Sequence, residues 1–232
     1  MSAAASGASA EAGVVAAFDF DGTLTRGGSV WPFLVQVCGM WRTIVAGLSI
    51  APMLAVAAFV GGRFADDAKE ALFRRTLGGL DAGALEQVGD EFGRRHLAAE
   101  RRADVMARLD QHRRQGHRIV IVSASPELYV RPAGTELGVD AVLATRLAVD
   151  DDGKLTGNYD GGNCRSDEKL RRLRQWAEEN APGAELWAYG NSAGDQRMLA
   201  GATVGVDVGR LGPVGRLRAF HRLRDTAELI GA

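Results

Sequence analysis

The sequence predicts an α/β protein, a doubly wound parallel sheet with an α-helical cap inserted after its first strand. Three observations carry this. An apolar run, Val14-Val15-Ala16-Ala17, reads as a buried strand near 14–20. A long stretch from Ser29 to Glu100 then shows helical periodicity and no convincing strand. From Arg101 onward, strand-like and helix-like segments alternate, as a parallel sheet with right-handed crossovers requires.

The elements follow in order. A helix from Ala103 to Gln115 ends at Gly116, and the strand Arg118-Ile119-Val120-Ile121-Val122 runs into Ser123-Ala124-Ser125-Pro126. A helix from Glu127 to Leu137 ends at Gly138, a strand spans Ala141 to Leu147, and Asp151-Asp152-Gly153-Lys154 marks a hairpin. Helix Asp167 to Glu179, strand Glu185 to Tyr189, helix Ala193 to Ala200 and strand Thr203 to Val208 complete the alternation. The division expected is a disordered leader over 1–13, a core formed by 14–28 with 101–232, and a cap over 29–100.

Composition narrows the classes of function. The chain has 232 residues, 46% hydrophobic and 25% charged, which suits a globular protein with a sizeable core. With 28 basic and 29 acidic residues the net charge is -1, so there is no electrostatic footprint for nucleic acid. Two cysteines, Cys38 and Cys164, make no disulfide framework. The Ala/Ser/Gly-rich N-terminus lacks the basic and apolar regions of a secretory signal, so the protein is expected in the cytoplasm.

The strand ends carry the chemistry. In Phe18-Asp19-Phe20-Asp21-Gly22-Thr23-Leu24-Thr25, two carboxylates stand two residues apart at the carboxyl end of the first strand, where open α/β sheets bind ligands. On an extended backbone both point the same way, and a positive group between them or protonation of one carboxyl relieves their repulsion. The competing reading is a solvated Asp-Gly turn. Ser123 can offer a hydroxyl to a phosphate oxygen or serve only as a helix cap. Lys169 stands in the first turn of a helix, where the macrodipole disfavours a cation unless an anion lies opposite. In Tyr189-Gly190-Asn191-Ser192-Ala193-Gly194-Asp195, Asn191 and Asp195 can reach a metal, while Ser192-x-x-Asp195 also fits a capping box.

These four motifs, in this order and spacing, resemble the haloacid dehalogenase-like superfamily over nearly the whole chain after Val14. The helical insertion after the first motif resembles the subfamily that includes phosphoserine phosphatases. The resemblance implies a Mg²⁺-dependent phosphomonoester hydrolase. Asp19 would be the nucleophile that forms an aspartyl-phosphate, and Asp21 the general acid and base. Ser123 and Lys169 would bind the phosphoryl group; Gly22 would let the chain turn as Thr23 steadies the loop. The metal would be held by Asp19, the Asp21 carbonyl and Asn191, with Asp195 supporting its water shell.

Two departures matter. Asn191 stands where most relatives have aspartate, which keeps open a weakly active or non-catalytic phosphate-binding protein. Gly28 stands where phosphoserine phosphatases have the glutamate that contacts the substrate's amino group, which demotes phosphoserine. The substrate expected is a small phosphorylated compound or a phospholipid headgroup.

The cap offers a further clue. Thr43 to Gly62 is a run without charge, flanked by Arg42 and Arg63. It reads either as a buried helical hairpin broken near Pro52 or as a helix dipping into a membrane interface. By composition and position it resembles the lid of bacterial phosphatidylglycerophosphate phosphatases. The basic segment Arg216, Arg218, Arg222 and Arg224, interleaved with Leu217, Phe220 and Leu223, reads as a solvated helix or a contact for anionic lipid. The four histidines receive no role.

Overall fold

In a computed structural model of the chain, the described residues are 13–60, 62–209, 220–226 and 228–231. Of the expected leader only Gly13 is among them, its carbonyl accepting from the Glu185 N–H at 2.9 Å.

Seven strands form one sheet: β1 (Val14–Phe18), β2 (Arg118–Pro126), β3 (Ala141–Val149), β4 (Leu155–Asp160), β5 (Glu185–Gly190), β6 (Val204–Asp207) and β7 (His221–Arg222). Their order is β4-β3-β2-β1-β5-β6-β7, with every neighbouring pair parallel except the β3–β4 hairpin. The chain builds outward from β1 on one side, then returns to build outward on the other. That reversal makes the carboxyl end of β1 the crevice where a ligand can sit.

Alternation along β1 builds two cores. Ala16 and Phe18 join Ile119, Ile121, Tyr129 and Tyr189 on one face, while Val15 and Ala17 join Val120, Val122, Leu173 and Met198 on the other. Helices α5 (Ala103–Arg114) and α6 (Glu127–Leu137) contribute to the first core, α7 (Asp167–Asn180) and α8 (Gln196–Gly201) to the second. His112 of α5 is fully buried, with Nε2 2.7 Å from the Tyr189 hydroxyl and Nδ1 2.8 Å from His117 Nδ1. Burial, with the charges of His117 and Arg108, pushes its imidazole down to about 3, so it works as a neutral core group.

Between β1 and α5 the chain runs through α1 (Val30–Cys38), α2 (Met40–Val60), α3 (Arg63–Thr76) and α4 (Ala82–Glu100). The two ends of this excursion are stitched together: the Arg26 N–H donates to the Glu100 carbonyl at 2.8 Å and the Arg102 N–H to the Leu24 carbonyl at 2.9 Å. Helix α2 corrects one expectation, because it passes through Pro52 unbroken and is not a buried hairpin. Along it Met40, Trp41, Val45, Leu48, Leu54 and Val56 are exposed, Trp41 to 75%. Among the described residues no helix is long and apolar enough to cross a membrane.

The C-terminal reading is corrected as well. Arg216, Leu217 and Arg218 lie outside the described residues, and His221–Arg222 form a short strand, followed by a 3-10 turn over Leu223–Thr226, where a helix was expected. Pairing with β6 satisfies their main chain, and Arg222 Nη1 lies 3.2 Å from Asp207 Oδ2.

Candidate active site

Strand β1 ends at Phe18, sooner than its apolar pattern suggested, and Phe20–Leu24 wind into one wide π-type turn. Gly22, at φ 78°, makes this turn possible; any side chain there would also collide with the Asn191 amide. The Asp19 N–H is tied to the Tyr189 carbonyl at 2.9 Å, and Arg102 Nη1 holds the Gly22 carbonyl at 2.8 Å. The turn sends Asp19 and Asp21 to different partners.

Asp19 is 6% exposed and faces the core side of the site. Its Oδ2 accepts from the Thr23 hydroxyl at 3.0 Å and its Oδ1 from Lys169 Nζ at 2.5 Å. The same ammonium donates to Asp195 Oδ1 at 2.6 Å. The cation expected between Asp19 and Asp21 therefore lies between Asp19 and Asp195. Burial works against the charge on Lys169, but the two carboxylates prevail and raise its proton affinity above the ordinary lysine value. Burial, then the Asp195 charge, pushes the Asp19 carboxyl up to about 7 against the pull of Lys169. Asp195 is also buried, yet Lys169 and Ser192 hold it below the usual carboxylate range.

Asp195 uses its other oxygen locally. Oδ2 accepts from the Ser192 N–H at 2.9 Å, the Ser192 hydroxyl at 2.7 Å and the Asn191 N–H at 3.2 Å. The capping-box reading of this motif holds through Oδ2, while Oδ1 faces Lys169. Asn191 Oδ1 lies 3.3 Å from Thr23 Oγ1, so this amide oxygen and Asp19 Oδ2 flank one hydroxyl.

Asp21 turns toward the helical insertion. The Ser29 N–H reaches its Oδ1 at 2.9 Å, the Ser29 hydroxyl its Oδ2 at 3.0 Å, and the Ser125 hydroxyl makes a short bond to Oδ2. Tyr129 Oη stands 3.0 Å from Ser29 Oγ, behind this network. Ser123 is buried beside it, its Oγ accepting from the Ser125 N–H at 3.1 Å.

All eight residues singled out in the sequence thus lie along one sheet edge. Ser29, Ser125 and Tyr129 were missed. Ser125 left a faint trace, a second hydroxyl two residues after Ser123; Ser29 and Tyr129 left none, since only the folded insertion brings them to Asp21.

Oxygen donors dominate this pocket: the Asp19 carboxylate, the Asn191 amide, Asp195 and the main chain of the turn. Two buried carboxylates share one ammonium and leave an excess of negative charge, which suits a hard divalent cation. Among the described residues no three His, Cys, Asp or Glu side chains are grouped as a metal cluster, so such an ion would depend on the amide and the main chain.

The model of the haloacid dehalogenase-like hydrolase family matches residues 16–200. Protein CicA of Caulobacter vibrioides is 38% identical over 188 residues, covering 81% of this chain and 82% of CicA. A phosphoserine phosphatase of Lactococcus lactis is 37% identical over 93 residues, 40% of this chain and 43% of that protein. In structure, a phospho-aspartyl intermediate analogue of phosphoserine phosphatase superposes with a TM-score of 0.67 at 20% identity, over 94% of this chain and 98% of that one. The chain belongs to the haloacid dehalogenase-like hydrolases. Its fold is that of the phosphoserine phosphatases.

Proposed function

We propose that the protein hydrolyses phosphomonoesters through an aspartyl-phosphate on Asp19, with Mg²⁺ as cofactor. The observation that carries this reading is the buried Asp19–Lys169–Asp195 bridge at the carboxyl end of β1. Lys169 and Thr23 each grip one oxygen of Asp19 and so fix the angle at which the carboxylate meets a phosphorus atom. Attack forms the Asp19–phosphorus bond and breaks the ester bond, and a proton from Asp21 completes the leaving alcohol. Water then attacks phosphorus, Asp21 takes its proton, and phosphate and free Asp19 are released. Ser123 and Lys169 bind the phosphoryl oxygens, while Gly22 and Thr23 shape the loop around them. Asp19, the Asp21 carbonyl, Asn191 and, through water, Asp195 would hold the metal, which when bound neutralises phosphoryl charge. The amide at Asn191 weakens metal binding relative to a carboxylate and leaves turnover intact.

Residues 29–100 serve as a lid, and Ser29 is the part of it that orients Asp21. Purified protein with Mg²⁺ is expected to release p-nitrophenol from p-nitrophenyl phosphate and to lose at least about 90% of that rate in excess EDTA, recovering on Mg²⁺ addition. An EDTA-insensitive rate removes the metal from this reading. No release from any phosphomonoester tested favours the alternative, a phosphate-binding protein without turnover.

The substrate is a small phosphorylated compound or a lipid phosphate headgroup, and one observation favours the second. Among the described residues Trp31, Met40, Trp41, Val45, Leu48, Leu54, Val56 and Phe64 form most of the exposed large apolar side chains. No acidic residue occurs from Gly22 to Ala65, and Arg42 and Arg63 bracket the α2 run. An apolar surface on a stretch of chain that carries basic but no acidic residues up to Ala65 suits an anionic membrane interface. Sedimentation with phosphatidylglycerol vesicles is expected to carry the protein down, and Trp41→Ser with Leu48→Ser to weaken partitioning roughly tenfold or more. Equal sedimentation of the double variant would count against this surface.

A further inference from the structure

Behind Asp21 stands a tyrosine with no part in the proposed steps. Tyr129 belongs to α6 of the core and is fully buried, its ring 4.7 Å from that of Phe33 on α1 and 5.2 Å from that of Phe92 on α4. Its one polar side-chain atom points the other way. Oη stands 3.0 Å from Ser29 Oγ, which itself stands 3.0 Å from Asp21 Oδ2 and 3.4 Å from Ser125 Oγ. Burial and the Asp21 charge push the phenol above the ordinary tyrosine range, so it keeps its proton.

The hydrogens give this row of groups a direction. Ser29 has one hydroxyl hydrogen and several oxygens in reach, of which only Asp21 Oδ2 belongs to a carboxylate. The charge-assisted bond is the stronger, so that hydrogen lies on Asp21. Tyr129 then donates its own hydrogen to Ser29, because among the described residues Oη has no hydrogen-bond partners except the two serine hydroxyls. Ser29 occupies the N-cap of α1, where serine ordinarily accepts from the helix main chain, yet its side chain makes no such bond. Its hydroxyl is given over to Asp21.

Asp21 needs a hold from outside its own segment. It lies in the wide turn at φ -73° and ψ 117°, directly before Gly22, the residue type whose backbone constrains its neighbours least. We propose that Tyr129 is a positioning residue, which through Ser29 fixes the Asp21 carboxyl for proton transfer to the leaving alcohol. This rests on the phosphatase reading. In that step the proton leaves Asp21 for the ester oxygen as the bond from that oxygen to phosphorus breaks, so Asp21 ends as a carboxylate and the alcohol as a neutral molecule. Because the Tyr129 ring packs against Phe33 and Phe92, the placement of Asp21 depends on the seating of α1 and α4 against α6.

Two esters alike in size test this: benzyl phosphate, whose alcohol needs a proton as it leaves, and p-nitrophenyl phosphate, whose phenolate departs as a stable anion. The readout is kcat/KM for each, which covers the steps up to departure of the alcohol and leaves out the later attack of water. Tyr129→Phe keeps the ring and is expected to lower kcat/KM roughly ten- to hundredfold for benzyl phosphate and less than about twofold for p-nitrophenyl phosphate. Loss of folded protein lowers both alike and so leaves their ratio unchanged. Ser29→Ala should shift the ratio in the same way, and the double variant should lose no more than about twofold beyond the worse single one. An unchanged ratio in Tyr129→Phe, or losses that multiply in the double variant, overturns the proposal and leaves the phosphatase reading standing on wild-type turnover. A wild-type protein that hydrolyses neither ester overturns the phosphatase reading and this role of Tyr129 with it.

Discussion

Asp19→Asn is expected to lower phosphate release by at least about 10⁴-fold while leaving the protein folded and able to bind phosphomonoesters. The amide keeps the shape of the carboxyl group. Its oxygen still accepts from Lys169, so the bridge to Asp195 loses charge without losing contact. What disappears is the nucleophile, for which no neighbour substitutes: Asp195 is tied back into its own loop by Asn191 and Ser192, and Asp21 faces Ser29 and Ser125. Stability should hold or rise slightly, because the carboxyl of Asp19 is buried beside another acid. Single-turnover kinetics and urea unfolding, run together, check both halves. A variant retaining more than about 1% of wild-type turnover would remove Asp19 from its role.

Gly93→Ala should have the largest effect on stability of any single methyl group added near the site, a loss of about 2–4 kcal/mol. On α4 a Cβ at this position would stand 3.0 Å from the Tyr129 carbonyl carbon and closer still to its oxygen, so α4 and α6 must part. Backbone cannot swing aside as a side chain can. The displaced residue is Tyr129, whose hydroxyl stands behind Ser29 and Asp21, so turnover should fall with stability. Gly83→Ala on the same helix is the control: its nearest contact is Asp81 Oδ1 at 3.5 Å, and its effect should stay within about 0.5 kcal/mol. Equal unfolding midpoints for the two variants would refute the close-approach argument.

Much of the fold was legible because its signals are local. The strands at 118–122, 141–147 and 185–189 are short apolar runs each closely preceded by a glycine, and each was found at its place in the sheet. The Asp151–Lys154 turn produced its hairpin. The failures share a cause. Pro52 costs α2 one hydrogen bond, and contacts of α2 with α1 and α3 keep the helix whole, which propensity alone does not reveal. The carboxyl-terminal residues 221–222 read as part of a helix, but an open edge at β6 captured them as a strand.

The linear order of residues determined which chemical groups the site contains. Asp19, Asp21, Lys169, Asn191 and Asp195 sit at ends of elements and Ser123 in the carboxyl half of β2, and the alternation of strands and helices sends these positions to one edge. Only the tertiary structure decided which group faces which. Lys169 chose Asp19 and Asp195, and Asp21 turned to Ser29 and Ser125. The reason is physical: pattern and propensity act over a few residues, whereas a charge buried among groups distant in sequence finds its partner only once packing has excluded the water that would otherwise serve it.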